Sequence, residues 1–345
     1  MNLEALGYWL IPLYIVLAGS IIFLSIKLGN YVDMLDKKTK ISGAFIGGIL
    51  LAAITSLPEL FTSISSIFIV EDGAGMVIGN ILGSNLFNFT ILGLTIILFT
   101  KKYKNGQLEK VHIFSLLIVL AMAGLCLYAV IAPTWMQPKL GPINFIALII
   151  LGLYILNVII QPKESSVEEE SDIKLTVGQI VLRFIICAVL LVGISIIITL
   201  ATDALGKLLN LGSTVAGSLF LAIATSLPEV VSTITLCKKG NFNAGFGNIV
   251  GSNVFNFCIL VIAEFISWKE SIFTYQDQAA FLLALFLITS TTFAVINMLV
   301  FFIFKKKKET KLNNIVFYIS SISLALISFA CYIGFLTLNN AITIF

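Results

Sequence analysis

A chain of 345 residues that is 59% hydrophobic and only 11% charged is not an ordinary soluble domain, which would carry about a quarter charged residues. Its formal net charge of +3 sits on lysines scattered between apolar runs, so a nucleic-acid surface is excluded. The 5 cysteines, Cys126, Cys187, Cys237, Cys258 and Cys331, lack metal-ligand spacing and read as small apolar fillers. The expectation is an all-α polytopic membrane protein whose main partner is the lipid bilayer.

Taken in order, ten apolar stretches are long enough to span a bilayer, at about 8–28, 41–69, 73–99, 112–132, 140–160, 177–201, 213–236, 244–266, 278–304 and 315–338. The N-terminus lacks a basic leader region, so the first stretch reads as a span and not as a secretory signal. A polar linker, 161–176, carries Glu168-Glu169-Glu170 and divides the chain into a first five-helix repeat, 1–160, and a second, 177–345. Five spans per half make the second half enter the membrane from the opposite side, which gives inverted repeats. Lysines concentrate in loops that follow odd-numbered spans, among them Lys37, Lys38, Lys101, Lys102, Lys104, Lys238, Lys239 and Lys305 to Lys308. The other side has only Lys139, Lys207 and Lys269. The positive-inside rule then puts the odd loops in the cytoplasm and both termini outside.

The repeat cores, 43–99 and 213–266, hold matched motifs. Thr55-Ser56-Leu57-Pro58-Glu59 recurs as Thr225-Ser226-Leu227-Pro228-Glu229. Gly79-Asn80, Gly83-Ser84-Asn85 and Asn88 recur as Gly247-Asn248, Gly251-Ser252-Asn253 and Asn256. Carboxylates within apolar spans are costly and mark ion paths, and helix breakers at matching positions of two halves mark a transporter's midplane site. Pro58 and Pro228 lack an N–H and are expected to break both helices, freeing the carbonyls of Ile54, Thr55, Ala224 and Thr225. These hard oxygen donors suit Ca²⁺ or Na⁺ rather than Zn²⁺ or copper. Glu59 and Glu229 supply two charges, enough for one Ca²⁺. Ser84 with Asn88, and Ser252 with Asn256, are four apart and share a helix face. The glycines permit close helix approach. The lone His112 is expected at the interface, and Glu71 and Asp72 are read as solvated loop charges.

These duplicated motifs resemble the α-repeats of the cation/Ca²⁺ antiporter superfamily, and TSLPE with GN-x-x-GSN is similar to its Na⁺/Ca²⁺ exchanger branch. The GNxxE signature typical of the Ca²⁺/H⁺ branch is absent. The resemblance covers essentially the whole chain and implies a compact prokaryotic-type antiporter of the plasma membrane. It implies exchange of Na⁺ for Ca²⁺ by alternating access, with no cofactor, no enzymatic step and a monomer sufficient for transport. It implies a Ca²⁺ site of the Glu59 and Glu229 carboxylates with the Thr55 and Thr225 carbonyls. Flanking Na⁺ sites would use Thr55, Thr225, Ser84, Ser252 and the Ala52 and Ala222 carbonyls, with Ser56 and Ser226 lining the same cavity. Spans one and six would slide against the remainder. Many exchangers have Asp where Asn256 stands; here both repeats have Asn, Asn88 and Asn256, which removes a third charge.

Two other readings compete. A Ca²⁺/H⁺ antiporter would carry protons on Glu59 or Glu229. An intramembrane enzyme would need a nucleophile–base pair, and Ser84 and Ser252 have no His or Lys nearby in sequence.

Overall fold

A computed structural model describes residues 3–39, 48–161, 175–267, 271–305 and 311–338. Residues 162–174 of the expected linker at 161–176, the start of the first repeat core at 43–47, and Lys40, Lys269 and Lys306 to Lys308 lie outside the described residues. A short 3-10 segment, Leu3–Trp9, leads into α1 (Leu10–Thr39). The second span is two helices, α2 (Gly48–Thr55) and α3 (Leu57–Ile69). Then come α4 (Gly73–Leu98), the short α5 (Thr100–Asn105) and α6 (Val111–Ile131). A small antiparallel hairpin, β1 (Lys139–Leu140) with β2 (Ile143–Asn144), precedes α7 (Phe145–Ile160). The second half runs α8 (Val177–Leu208), α9 (Ser213–Ala216), a π-helical turn at Gly217–Leu221, and α10 (Ala222–Lys238). It closes with α11 (Phe242–Ile266), α12 (Gln278–Lys305) and α13 (Lys311–Leu338).

Among the described residues, eight helical segments are long and apolar enough to cross a membrane, and α3 and α7 are shorter apolar helices. Every expected span is therefore helical, with shifted ends. α8 outlasts its apolar stretch to Leu208, where Lys207 pairs with Asp203 at 2.9 Å one turn earlier. The fifth span starts later than expected, because Asn144 caps α7 by accepting from the Ile146 N–H at 3.0 Å.

The proline expectation needs correction in the second repeat. In the first, the helix breaks at Ser56, whose φ of −89° and ψ of 10° separate α2 from α3. Pro58 then lies in the first turn of α3, where a missing N–H costs nothing. In the second, α10 runs straight through Pro228, and the irregularity lies upstream in the π turn. One proline removes a single helical bond, and a helix packed on both sides tolerates that loss. The π turn has its own supports: the hydroxyls of Tyr332 and Tyr14 donate to the carbonyls of Ser218, at 2.8 Å, and Phe220.

Packing follows the repeat. α4 lies against α9, the π turn and α10, α11 against α2, and α4 and α11 against each other. Glycine makes the first contact possible. A methyl group at Gly79 would sit 2.1 Å from the Thr214 carbonyl oxygen, and one at Gly83 would sit 2.7 Å from Ser218 Cα. The apolar core is in two parts. The larger joins α4, α6, α7, α11, α12 and α13; the other joins α1 and α8 to the inner helices through Ile54, Met76, Leu221 and Ala224.

Candidate cation site

The break at Ser56 sets Glu59 in the first turn of α3, and Glu59 and Glu229 are both 0% exposed. Each carboxylate is held by the other half of the chain. Ser226 Oγ donates to Glu59 Oε1 at 3.0 Å, and Ser56 Oγ donates to Glu229 Oε1 at 3.1 Å. The second oxygen of each, Oε2, is buried without a hydrogen-bond partner. The two carboxylates repel one another, and among the described residues no Lys or Arg is buried to neutralise them. An unpaired buried carboxylate is expensive, so the pair calls for a cation or a proton.

Two sets of neutral oxygens flank the carboxylates, each built across the halves. Ala52 O accepts from Thr55 Oγ1 at 3.2 Å and from Ser252 Oγ at 3.5 Å, and those two hydroxyls are 3.3 Å apart. Ala222 O accepts from Ser84 Oγ and from Thr225 Oγ1, each at 3.4 Å. Thr225 also reaches Leu221 O at 2.9 Å. Ala52 lies near the C-terminal end of α2, where carbonyl dipoles favour positive charge. A cation in either set would meet oxygens alone once the hydroxyl protons turn aside.

Asn88 and Asn256 follow Ser84 and Ser252 by one helical turn on α4 and α11, and their Oδ1 atoms are buried and unpartnered. The structure thus gathers Glu59, Glu229, Ser56, Ser226, Thr55, Thr225, Ser84, Ser252 and the Ala52 and Ala222 carbonyls through bonds across the halves, while the Asn88 and Asn256 amides bond to Asn253 and Asn85 and the prolines act through the backbone. The motif readings missed four asparagines. Asn80 Nδ2 braces α4 to α3 through Thr62 and Ser63, each at 3.1 Å, and Asn248 Nδ2 braces α11 to α10 through Ser232 at 2.8 Å and Thr233 at 3.0 Å. Asn85 and Asn253 join α4 to α11, as described below. Their signal was recurrence in both repeats; the face shared by residues four apart left them out.

Two other residues have structural partners that the sequence did not show. His112 is buried, its Nε2 2.9 Å from Asn243 Oδ1, tying the start of α6 to the start of α11. Asp72 is no free loop charge: it caps α4 through the Gly75 N–H at 3.0 Å and accepts the Tyr275 hydroxyl at 2.9 Å. Glu71 is exposed beside it, at an open recess also lined by Asp203, Lys207 and Ser213.

A sequence model of the sodium/calcium exchanger protein family matches residues 9–162 and 179–340, so both halves carry the likeness. The sodium/calcium exchanger MaX1 of Methanosarcina acetivorans is 24% identical over 288 residues, covering 72% of this chain and 81% of that protein. The solved sodium-calcium exchanger NCX_Mj superposes with a TM-score of 0.53 at 20% identity, over 95% of this chain and 99% of the other. The H⁺/Ca²⁺ exchanger CAX gives 0.61 at 14% identity, over 95% and 92%. At such identities these likenesses concern the fold. The match along both halves, with the duplicated motifs and the membrane helices, means that this chain belongs to the sodium/calcium exchanger protein family, within the cation/Ca²⁺ antiporter superfamily.

Proposed function

We propose that this integral membrane protein exchanges Na⁺ for Ca²⁺ by alternating access, with Glu59 and Glu229 as the shared charged ligands. The observation that carries the reading is the pair of buried carboxylates, each with one oxygen unpartnered and, among the described residues, no buried Lys or Arg to neutralise it. One Ca²⁺ neutralises the pair, and Na⁺ ions compete for the same charges, so either cargo excludes the other and exchange is coupled. The Thr55 and Thr225 carbonyls complete the Ca²⁺ site. The sets Ala52–Thr55–Ser252 and Ala222–Thr225–Ser84 hold Na⁺, and Ser56 and Ser226 position the carboxylates. Asn88 and Asn256 add amide oxygens without charge. The neutral flanking cages favour Na⁺ as the driving ion, since proton coupling needs only the carboxylates. The apolar cluster of α1 and α8, which meets the inner helices through Ile54, Met76, Leu221 and Ala224, offers an apolar surface on which the pair would slide against the rest. The cell membrane is the proposed location, with the lysine-rich loops in the cytoplasm and both termini outside.

The test is uptake of radioactive Ca²⁺ into proteoliposomes at clamped pH and membrane potential. An outward Na⁺ gradient is expected to drive accumulation. Accumulation that follows only an imposed pH gradient would assign the protein to H⁺ coupling instead. The mutual repulsion of two carboxylates, with no buried Lys or Arg among the described residues, is the feature that favours this second reading.

A further inference from the structure

At the crossing of α4 and α11 four buried amides close a reciprocal lock. Asn85 Nδ2 donates to the Asn253 carbonyl at 3.2 Å, and Asn253 Nδ2 donates to the Asn85 carbonyl at 3.3 Å. Asn88 Nδ2 donates to Asn253 Oδ1, and Asn256 Nδ2 to Asn85 Oδ1, each at 2.9 Å. All four side chains are 0% exposed, and the two amide oxygens left over, Asn88 Oδ1 and Asn256 Oδ1, have no partner.

The direction of each amide follows from its neighbours. A backbone carbonyl only accepts, so Asn253 must turn its Nδ2 towards Asn85 O. Its Oδ1 then faces Asn88, which must answer with a donor, and Asn88 Oδ1 is left pointing away. The same chain of reasoning runs from Asn253 O through Asn85 to Asn256. A flip of Asn88 or Asn256 would set oxygen against oxygen in the lock and aim N–H groups, which repel cations, the other way. We infer that Asn85 and Asn253 are positioning residues that fix the polarity of the Asn256 and Asn88 amides, so that the cavity receives only oxygen from them. Each acts through the ligand of the opposite repeat: Asn253 through Asn88, and Asn85 through Asn256. The lock also makes α4 and α11 one frame, leaving conformational change to the helices around it. This inference rests on the cation-site reading above.

The test is Ca²⁺ binding by calorimetry on the purified chain, in two double-mutant cycles. Asn253→Ala is expected to weaken Ca²⁺ binding by about 10–100-fold, the usual range for groups that orient metal ligands. Asn88→Ala should do likewise, and the double variant should be no weaker than the poorer single one, because nothing remains to be oriented. Asn253→Ala combined with Asn256→Ala should instead multiply the two losses. Asn85 should show the mirror pattern, coupled to Asn256 and additive with Asn88. A merely structural role would not choose between partners in this crossed way. If Asn253→Ala fails to fold, Asn253→Ser, which keeps a polar group at the crossing, replaces it in the cycle. Undiminished Ca²⁺ binding in the folded single variants, or losses that multiply within the 253–88 and 85–256 pairs, would overturn the inference. No Ca²⁺ binding by the unaltered chain would overturn the cation-site reading, and this inference with it.

Discussion

At the scale of single residues, the site is a matter of charge without compensation. Glu59 and Glu229 each spend one carboxylate oxygen on a serine of the other repeat and leave one unpartnered. Glu59→Gln or Glu229→Gln keeps the shape and halves the charge. Breaking a buried ion pairing costs about 3 kcal/mol or more, so Ca²⁺ affinity should fall at least ~100-fold and transport should stop. Isotherms with unchanged Ca²⁺ affinity in a folded variant would move the site elsewhere. The glutamates, hydroxyls and the Asn88 and Asn256 amides were legible in the sequence because each is rare in an apolar span and each recurs. Asn85 and Asn253 stood in the same motifs, but their role depends on partners 165 to 171 positions away. No local spacing reveals which end of an amide such a partner will take.

At the scale of elements, the two repeats are alike in motif and unlike in backbone. The shared proline predicted matched breaks, yet only the first repeat breaks beside it, at Ser56; the second places a π turn upstream. That difference was not legible, since the π turn is held by tyrosines from outside its own span, Tyr14 of α1 and Tyr332 of α13. Tyr332→Phe removes the donor to the Ser218 carbonyl and should cost about 1 kcal/mol of stability, the net worth of one hydrogen bond. The close approach of α4 to α9 gives a sharper test. Gly79→Ala would drive a methyl into the Thr214 carbonyl oxygen at 2.1 Å, whereas Gly124 on α6 has open space around it. Overpacking against backbone costs about 1–3 kcal/mol, so Gly79→Ala should lower the thermal midpoint of the detergent-purified protein. Gly124→Ala should leave it unchanged or raise it slightly, because alanine is the better helix former. Equal midpoints for the two variants would contradict the packing of α4 against α9.

At the scale of the whole molecule, alternation of lysine-rich and lysine-poor loops is a prediction about which loops share an end of the bundle. The fold bears on it through bonds between distant loops. Lys38 at the end of α1 donates to the Leu175 carbonyl just before α8. Lys102 after the third span donates to the Lys238 carbonyl after the seventh, and Glu109 and His112 meet Asn243 in the same region. The lysine-poor loops gather separately, with Tyr275 after the eighth span bonded to Asp72 after the second and 3.3 Å from Thr214 after the sixth. Which end faces the cytoplasm is not a property of packing, and it rests on the positive-inside rule. Two exposed positions outside the helices test it: Glu71 at the lysine-poor end and Gln107 at the lysine-rich end. Four of the native cysteines are buried, and the half-buried Cys187 is replaced by Ser to clear the background. A membrane-impermeant maleimide applied to intact cells should then modify Glu71→Cys at once and reach Gln107→Cys only after permeabilisation. The reverse pattern would turn the molecule over, placing both termini in the cytoplasm, and would leave the cation site where it is.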